Sequence, residues 1–118
     1  MKSHKDLDVW KRAVDLVTNL YDATKKFPKN EIYGISNQIR RAAVSIPSNI
    51  AEGAARNHAK EFVQFLYVAL GSSSELETQL LICKNLKYLS DDVSENIQKE
   101  LDSIRKMIIG LIRNLENK

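Results

Sequence analysis

The most informative segment of this chain is Arg40-Arg41-Ala42-Ala43-Val44-Ser45-Ile46-Pro47-Ser48-Asn49-Ile50-Ala51-Glu52-Gly53. Its apolar residues recur every three or four positions, which is typical of one face of a helix. Pro47 lies in the middle of it, where a proline removes one backbone hydrogen bond and crowds the carbonyl of Ala43. A helix that keeps such a proline is usually bent at that point. We therefore predict a helix that begins near residues 31–33, ends at 55–57 and is kinked at Pro47.

Helical periodicity continues on both sides of this stretch. Residues 6–26 carry apolar side chains at spacings of three and four, and Phe27-Pro28 ends that first helix. A third helix is expected to follow the second at once and to run to about residue 88. Asn57 is placed to cap it, since its side chain can accept a hydrogen bond from the first turn.

The fourth helix is expected to begin after Ser90, which can cap it. Its apolar residues step by 4, 3, 4, 3 and 4 over 97–115, a spacing close to that of a coiled-coil seam. Because every connection is short, consecutive helices should be antiparallel neighbours. The sequence therefore predicts an all-α protein, an antiparallel up-down-up-down four-helix bundle that forms one domain over residues 1–118.

Composition limits where such a protein can work. The chain has 118 residues with only 4 Gly and 2 Pro, so long loops are not expected. Its single cysteine, Cys83, excludes an internal disulfide and fits a reducing compartment. There is no apolar segment behind the charged N-terminus and none long enough to span a bilayer. We expect a cytoplasmic protein with no membrane partner.

One end of the predicted bundle collects basic side chains, because it gathers the starts of the first and third helices and the ends of the second and fourth. The basic residues there are Lys2, Lys5, Lys11, Arg12, Arg56, Lys60, Arg113 and Lys118. The acidic residues are Asp6, Asp8, Glu52, Glu61 and Glu116, which leaves a net charge of +3, whereas the opposite end sums to zero. Such an end attracts backbone phosphates without base specificity, although it is also what a solvated surface looks like. The candidate nucleic-acid contacts are Lys5, Lys11, Arg12, Arg56, Lys60 and Arg113.

A polar strip runs along the second helix. Its members are Arg41, Ser45, Asn49, Glu52 and Arg56, spaced by 4, 4, 3 and 4 residues. The strip has two interpretations: a surface that recognises a partner, or a hydrogen-bond network that satisfies polar groups near Pro47. We favour the structural network for Arg41, Ser45, Asn49 and Glu52, and expect Glu52 to pair with Arg56 one turn away.

The third and fourth helices carry more apolar surface than one bundle core needs. The third has two apolar stripes, and small residues at 71–74 would let another helix approach closely. The fourth is apolar around too much of its circumference at 107–112. Uncovered apolar surface of this kind usually marks an interface, so we predict self-association. The candidate interface residues are Tyr67, Leu70, Ser74, Leu81, Met107 and Ile109.

Catalytic chemistry finds little support in the sequence. The chain has two histidines, and neither follows a Glu at the Glu-x-x-His spacing of a carboxylate metal site. Cys83 lies in an apolar stripe, where thiols are usually inert. The Gly71-Ser72-Ser73-Ser74 run lacks the spacing of a phosphate-binding loop. We expect no enzymatic activity, no cofactor or metal and no small-molecule substrate.

Several motifs together resemble a known family. They are Asp8-Val9-Trp10-Lys11, Tyr33-Gly34, Gln38-Ile39-Arg40-Arg41-Ala42-Ala43, Ser45-Ile46-Pro47-Ser48-Asn49-Ile50-Ala51-Glu52-Gly53, Arg56, Glu61-Phe62, Phe65-Leu66, Ala69-Leu70-Gly71-Ser72 and Glu75-Leu76-Glu77-Thr78-Gln79-Leu80. They are similar to the four-helix-bundle family encoded in intervening sequences of bacterial 23S rRNA genes, often labelled a ribosomal protein. One departure is His58, where relatives often have Ser as the helix cap.

The resemblance implies a ring of bundles, typically a homopentamer. The family is also similar to the accessory protein of diversity-generating retroelements, a basic pentameric barrel that works with a reverse transcriptase and nucleic acid. The leading hypothesis is therefore a non-enzymatic homo-oligomer that binds RNA or DNA, or a nucleoprotein, through its basic end. The alternative is a protein-interaction scaffold with no nucleic-acid role, and a small metalloenzyme is a third interpretation.

Overall fold

The computed structural model describes residues 3–117, which form four α-helices and no strand. The helices are α1 (Asp8–Thr24), α2 (Ile35–Ala54), α3 (Ala59–Asn85) and α4 (Asp91–Glu116). Short 3-10 turns at His4–Asp6 and Lys29–Glu31 precede α1 and α2. The predicted all-α class is thereby confirmed.

The helices pack in a closed square. Each helix packs against the next along the chain and α1 also packs against α4, whereas within residues 3–117 the diagonal pairs α1–α3 and α2–α4 bring no Cα atoms within 8 Å of each other. The molecule measures 46 × 23 × 20 Å. Its long axis fits α3, whose 27 residues span about 40 Å at 1.5 Å per residue. This arrangement confirms the up-down-up-down four-helix bundle.

The core lies along the bundle axis and is built from the predicted apolar stripes. Large side chains with no solvent exposure come from all four helices: Leu16, Leu20, Ile39, Ile46, Ile50, Leu66, Leu76, Leu80, Cys83, Leu101, Ile104 and Ile108. Burying one Leu or Ile in this way stabilises the fold by about 1.5–3 kcal/mol relative to leaving it exposed. The seam predicted on α4 is therefore the stripe that faces the core.

Pro47 does not interrupt α2. The helix continues as one element from Ile35 to Ala54, with Pro47 buried inside it, and the predicted kink is not confirmed. The start of α2 also differs from the prediction, because residues 29–31 form a separate 3-10 turn and Gly34 caps the helix. A proline removes one amide donor from the helix, and here the surrounding packing holds the backbone in helical form on both sides of it.

The ends of α3 and the start of α4 depend on local chemistry. The cap of α3 is His58 rather than Asn57, and its side chain makes no capping hydrogen bond. At the other end α3 stops at Asn85, earlier than predicted, because Lys87 adopts a left-handed conformation with φ of 63°. Ser90 caps α4 as predicted, since its Oγ accepts a hydrogen bond from the amide of Val93.

Candidate nucleic-acid and self-association surfaces

The six candidate nucleic-acid contacts are all exposed. Antiparallel packing places the helix termini that carry them at one end of the bundle. Lys2 and Lys118 lie outside the described residues. The described part of this end therefore holds six basic and five acidic side chains, a net charge of +1. Its positive charge per chain is modest, so the predicted attraction of phosphates depends on how many ends come together.

Two of these six residues are held by neighbouring side chains. Arg12 Nη1 donates to Ser103 Oγ at 2.8 Å and approaches Met107 Sδ at 3.6 Å. Ser103 lies 13 residues before the end of α4, so the Arg12 guanidinium points towards the middle of the bundle. Arg56 stacks over the ring of Phe65 at 4.9 Å. Lys5, Lys11, Lys60 and Arg113 are the more available cations.

The polar strip of α2 contains a small hydrogen-bond network. Asn49 Nδ2 donates to the carbonyl oxygen of Ser45 at 2.7 Å and contacts Ser45 Oγ at 2.9 Å. Ser45 Oγ lies 2.8 Å from Ser72 Oγ, which joins α2 to α3. These bonds support the backbone just before Pro47 and fix the register of two helices.

The other members of the strip lie outside this network. Arg41 and Glu52 are exposed, and neither forms a hydrogen bond to Ser45 or Asn49. The expected Glu52–Arg56 ion pair is absent among residues 3–117, because the Arg56 guanidinium packs on Phe65 instead. The structure thus brings together two of the four residues predicted to form one network.

An apolar stripe on α3 faces away from the bundle. Tyr67 is 54% exposed and Leu81 is 55% exposed, although the opposite face of the same helix is fully buried. We call this surface the α3 outer stripe; its members are Tyr67, Val68, Gly71, Ser74, Leu81 and Ile82, all exposed. No described part of the chain covers it. Ile109 on α4 is also 36% exposed.

Two of the candidate interface residues contribute to the core of their own chain. Leu70 and Met107 are half-buried and pack against the buried cluster. Gly71 behaves in the opposite way, because a Cβ added there would meet no atom within 4 Å. Its small size is therefore not required by any contact within the described chain.

Arg40 is not among the site residues predicted from the sequence. Arg40 Nε donates to Thr24 Oγ1 at 2.9 Å, and its guanidinium lies 4.5 Å from the centre of the Tyr21 ring. Both partners belong to α1. The periodicity of α2 alone carries no signal for this contact, since it depends on how two helices face each other.

A second cluster missed from the sequence lies at the opposite end of the bundle. Tyr88 Oη donates to Glu31 Oε2 at 2.9 Å, and this hydrogen bond is the main cause that raises the pKa of Tyr88. Burial raises the pKa of the nearby Cys83 thiol to about 11, with the negative charge of Glu31 adding to it. A thiol in this environment is a poor nucleophile at neutral pH.

Residues 3–117 contain no group of three or more His, Cys, Asp or Glu side chains placed to hold a metal ion. Within the same range no helix is long and apolar enough to cross a bilayer. The geometry therefore defines a class: a helical bundle whose notable surfaces are a weakly basic end and an uncovered apolar stripe.

Comparison with known proteins identifies the family. The model of the 23S rRNA-intervening sequence protein family matches residues 5–110, and the chain belongs to that family. It is also similar to the crystal structure of an S23 ribosomal protein family member of unknown function from Bacteroides thetaiotaomicron. That match has a TM-score of 0.78 and 25% identity, and covers 88% of this chain and 97% of the other. No match was found among curated proteins.

Proposed function

We propose that this protein is a non-enzymatic helical bundle that self-associates through the α3 outer stripe and binds nucleic acid through its basic end. The observation that carries the proposal is the exposure of Tyr67 and Leu81 on a helix whose other face is buried. Leaving such an apolar stripe in water is unfavourable. Exposed apolar surface of this kind usually marks an interface, and a second copy of the same chain is always available to cover it. The resemblance to ring-forming relatives supports a pentamer.

The nucleic-acid part of the proposal rests on pooled charge. A single described end has a net charge of only +1, but Lys5, Lys11, Lys60 and Arg113 are exposed and form no ion pair within residues 3–117. Each additional copy in a ring adds the same set of cations. Phosphate binding by such a ring is multivalent, so weak contacts combine into useful affinity. The family name, which refers to an rRNA intervening sequence, supports RNA as one ligand.

The absence of catalysis is part of the proposal. Cys83, the only thiol, has its pKa raised to about 11 by burial, so the thiolate is disfavoured at neutral pH. His58 is exposed at a helix cap and makes no side-chain capping bond. An elemental analysis of the purified protein tests the metalloenzyme alternative, because a stoichiometric transition metal would contradict the proposal.

Self-association is tested by mass. Sedimentation velocity and light scattering are expected to show an oligomer for the natural chain and a smaller species for the Tyr67→Glu/Leu81→Glu variant. A matched control, Asn19→Glu/Asn96→Glu, adds the same charge at exposed polar positions and should keep the natural mass. This part of the proposal would be wrong if the natural chain were monomeric, or if the Tyr67→Glu/Leu81→Glu variant had the same mass as its control.

Nucleic-acid binding is tested by its salt dependence. The logarithm of the affinity for a structured RNA and for a duplex DNA should fall linearly with the logarithm of salt concentration. Lys11→Glu/Lys60→Glu should weaken binding by about tenfold or more, because two attractive charges become repulsive. The control Lys26→Glu/Lys84→Glu makes the same change at the opposite end and should have a smaller effect. No binding at low salt, or a signal that ignores salt, contradicts the proposal.

A protein-interaction scaffold is the second candidate. The observation that favours it is the near balance of charge at the described basic end, with six cations and five carboxylates. In that case the α3 outer stripe recruits a different protein. Two results together would support the scaffold over the nucleic-acid proposal. A partner protein would stay bound in a pull-down after nuclease treatment and at high salt, and the purified chain alone would have the mass of a monomer.

A further inference from the structure

A shallow cleft of about 460 Å³ lies between the C-terminal part of α1 and the first half of α2. It is lined by Tyr21, Asn37, Arg40, Arg41, Val44 and Ser45. The lining thus includes two guanidinium groups, one side-chain amide and the hydroxyls of Tyr21 and Ser45, and it includes no carboxylate. A concave surface with this composition favours a negatively charged ligand.

Arg40 is held in position by two contacts. Thr24, which is buried, donates its hydroxyl to the Leu20 carbonyl at 2.9 Å and accepts from Arg40 Nε at 2.9 Å. The ring of Tyr21 supports the guanidinium plane at 4.5 Å. The two terminal nitrogens of Arg40 have no hydrogen-bond partner, and no ion pair neutralises the group, within residues 3–117. A half-buried cation in this state is preorganised and lacks a counter-ion.

Arg41 adds a second unpaired cation beside it. Its side chain is exposed, forms no hydrogen bond or ion pair in the described part of the chain, and lines the same cleft. Arg41 also borders a neighbouring cleft of about 380 Å³ that contains Glu75 on α3. Glu75 repels an anion from that second cleft, so the position beside Arg40 is the favoured one.

We infer that this cleft binds a phosphate oxyanion carried by a nucleic-acid strand. The planar fork of a guanidinium donates two parallel hydrogen bonds to a phosphate, which an ammonium group cannot do. This inference rests on the proposed nucleic-acid function and adds a contact on the side of the bundle, separate from its basic end. Phosphate contacts position a strand and do not read its sequence.

The test compares a short, labelled single-stranded RNA with inorganic pyrophosphate. Arg41→Gln removes one exposed cation from the cleft, and Lys106→Gln is a control that removes one exposed cation from α4. RNA affinity at low salt should fall by about tenfold for Arg41→Gln. The slope of log affinity against log salt should become shallower by about 0.7 for the lost contact with a single strand. Lys106→Gln should match the natural chain.

A second variant and a direct readout keep the test independent of folding. Arg40→Lys retains the charge but loses the stacked fork, so it should weaken RNA binding to a similar degree while circular dichroism shows an intact bundle. In an NMR titration of the natural protein, the side-chain Nε–H signal of Arg40 should shift and saturate with added RNA.

The outcomes separate the cleft from the proposed function. If RNA binds but the Arg40 signal stays fixed and Arg41→Gln binds as tightly as the natural chain, the inference is overturned and the basic end remains the binding site. If pyrophosphate shifts Arg40 but RNA does not bind, the cleft takes a free phosphate, and both the strand assignment and the nucleic-acid function are wrong. If neither ligand moves the Arg40 signal and RNA does not bind, both fail.

Discussion

Gly53 and Gly71 are both helical glycines, yet their surroundings are opposite. A Cβ at Gly53 would lie 2.8 Å from Phe65 Cβ and 2.9 Å from Phe62 Cδ1, whereas a Cβ at Gly71 would meet no atom within 4 Å. Packing within the chain therefore explains the first glycine and leaves the second unexplained. The two positions distinguish the faces of α3: its inner face is complete against α2, and its outer stripe is uncovered.

Replacing Gly53 with alanine should have the largest effect on stability. The added methyl group has no space between α2 and α3, and overpacking of this kind costs about 2–3 kcal/mol. Urea unfolding followed by circular dichroism measures the loss. Gly110→Ala is the control, because that helical glycine also has no atom within 4 Å of an added Cβ. An unchanged midpoint for Gly53→Ala would show that α2 and α3 can separate at little cost.

The next largest expected effect is a fall in the free energy of unfolding at alkaline pH, caused by Cys83 on the inner face of α3. The pKa of Cys83 rises from its ordinary value of 9.0 to about 11 in the folded protein. The stability contributed by the neutral, buried thiol is therefore fully present below pH 9 and is lost as the pH rises through 11. The reason is that, between these two values, the Cys83 thiol ionises readily only in the unfolded chain. This difference in pKa between the unfolded and folded chain corresponds to roughly 3 kcal/mol of stability.

Urea midpoints measured from pH 8 to pH 11 test this linkage. Cys83→Ala should flatten the decline that belongs to the thiol. Tyr88→Phe should remove a further part at higher pH, since the hydrogen bond to Glu31 raises the pKa of Tyr88 in the folded state. An equal slope for Cys83→Ala and the natural chain would mean that the thiol is not responsible.

The hydrogen bond between Ser45 and Ser72 should contribute less. A double-mutant cycle with Ser45→Ala, Ser72→Ala and the combined variant is expected to give a coupling of about 1 kcal/mol, the usual value for a partly buried neutral pair. Asn49→Ala should reduce that coupling, because Asn49 holds the Ser45 hydroxyl. Additive effects would indicate that the two hydroxyls act independently.

The sequence predicted the inner architecture well, because core periodicity is a property of each helix separately. The stripe over 97–115 and the Ser90 cap both follow from spacing and local hydrogen bonding. The end of α3 did not, since the left-handed residue there is Lys87, which carries none of the glycine signal that usually marks such a cap. The predicted kink at Pro47 is not confirmed, because propensity says where a helix is weakened and not how the neighbouring helices pack around it.

Site residues were harder to predict than the fold. The polar strip predicted one network, but only Ser45 and Asn49 meet, since Arg56 turns to Phe65 and Arg41 faces the α1–α2 cleft. Arg40, Tyr21 and Thr24 form a cluster across two helices, and spacing within one helix contains no information about the rotation of the other. Contacts between elements are thus the part that needs coordinates.

Replacing Gly71 with alanine should have the smallest effect on the stability of the bundle. It is also the most direct test of the difference between Gly53 and Gly71. In dilute solution, where single chains dominate, the variant should be more stable by up to about 1 kcal/mol, because alanine is the better helix former at an exposed position. If copies pack along the α3 outer stripe, the same methyl group keeps a neighbouring helix at a greater distance. Self-association measured by sedimentation should then weaken while the bundle itself is stabilised.

These two opposite changes identify the reason for the glycine. A variant that is more stable and associates as strongly as the natural chain would show that the stripe at Gly71 touches nothing, and the proposed interface would have to lie elsewhere. A variant that is less stable as a single chain would show that α3 is closer to its own neighbours than an empty 4 Å shell allows. Only stabilisation together with weaker association assigns the small residue to a contact between copies.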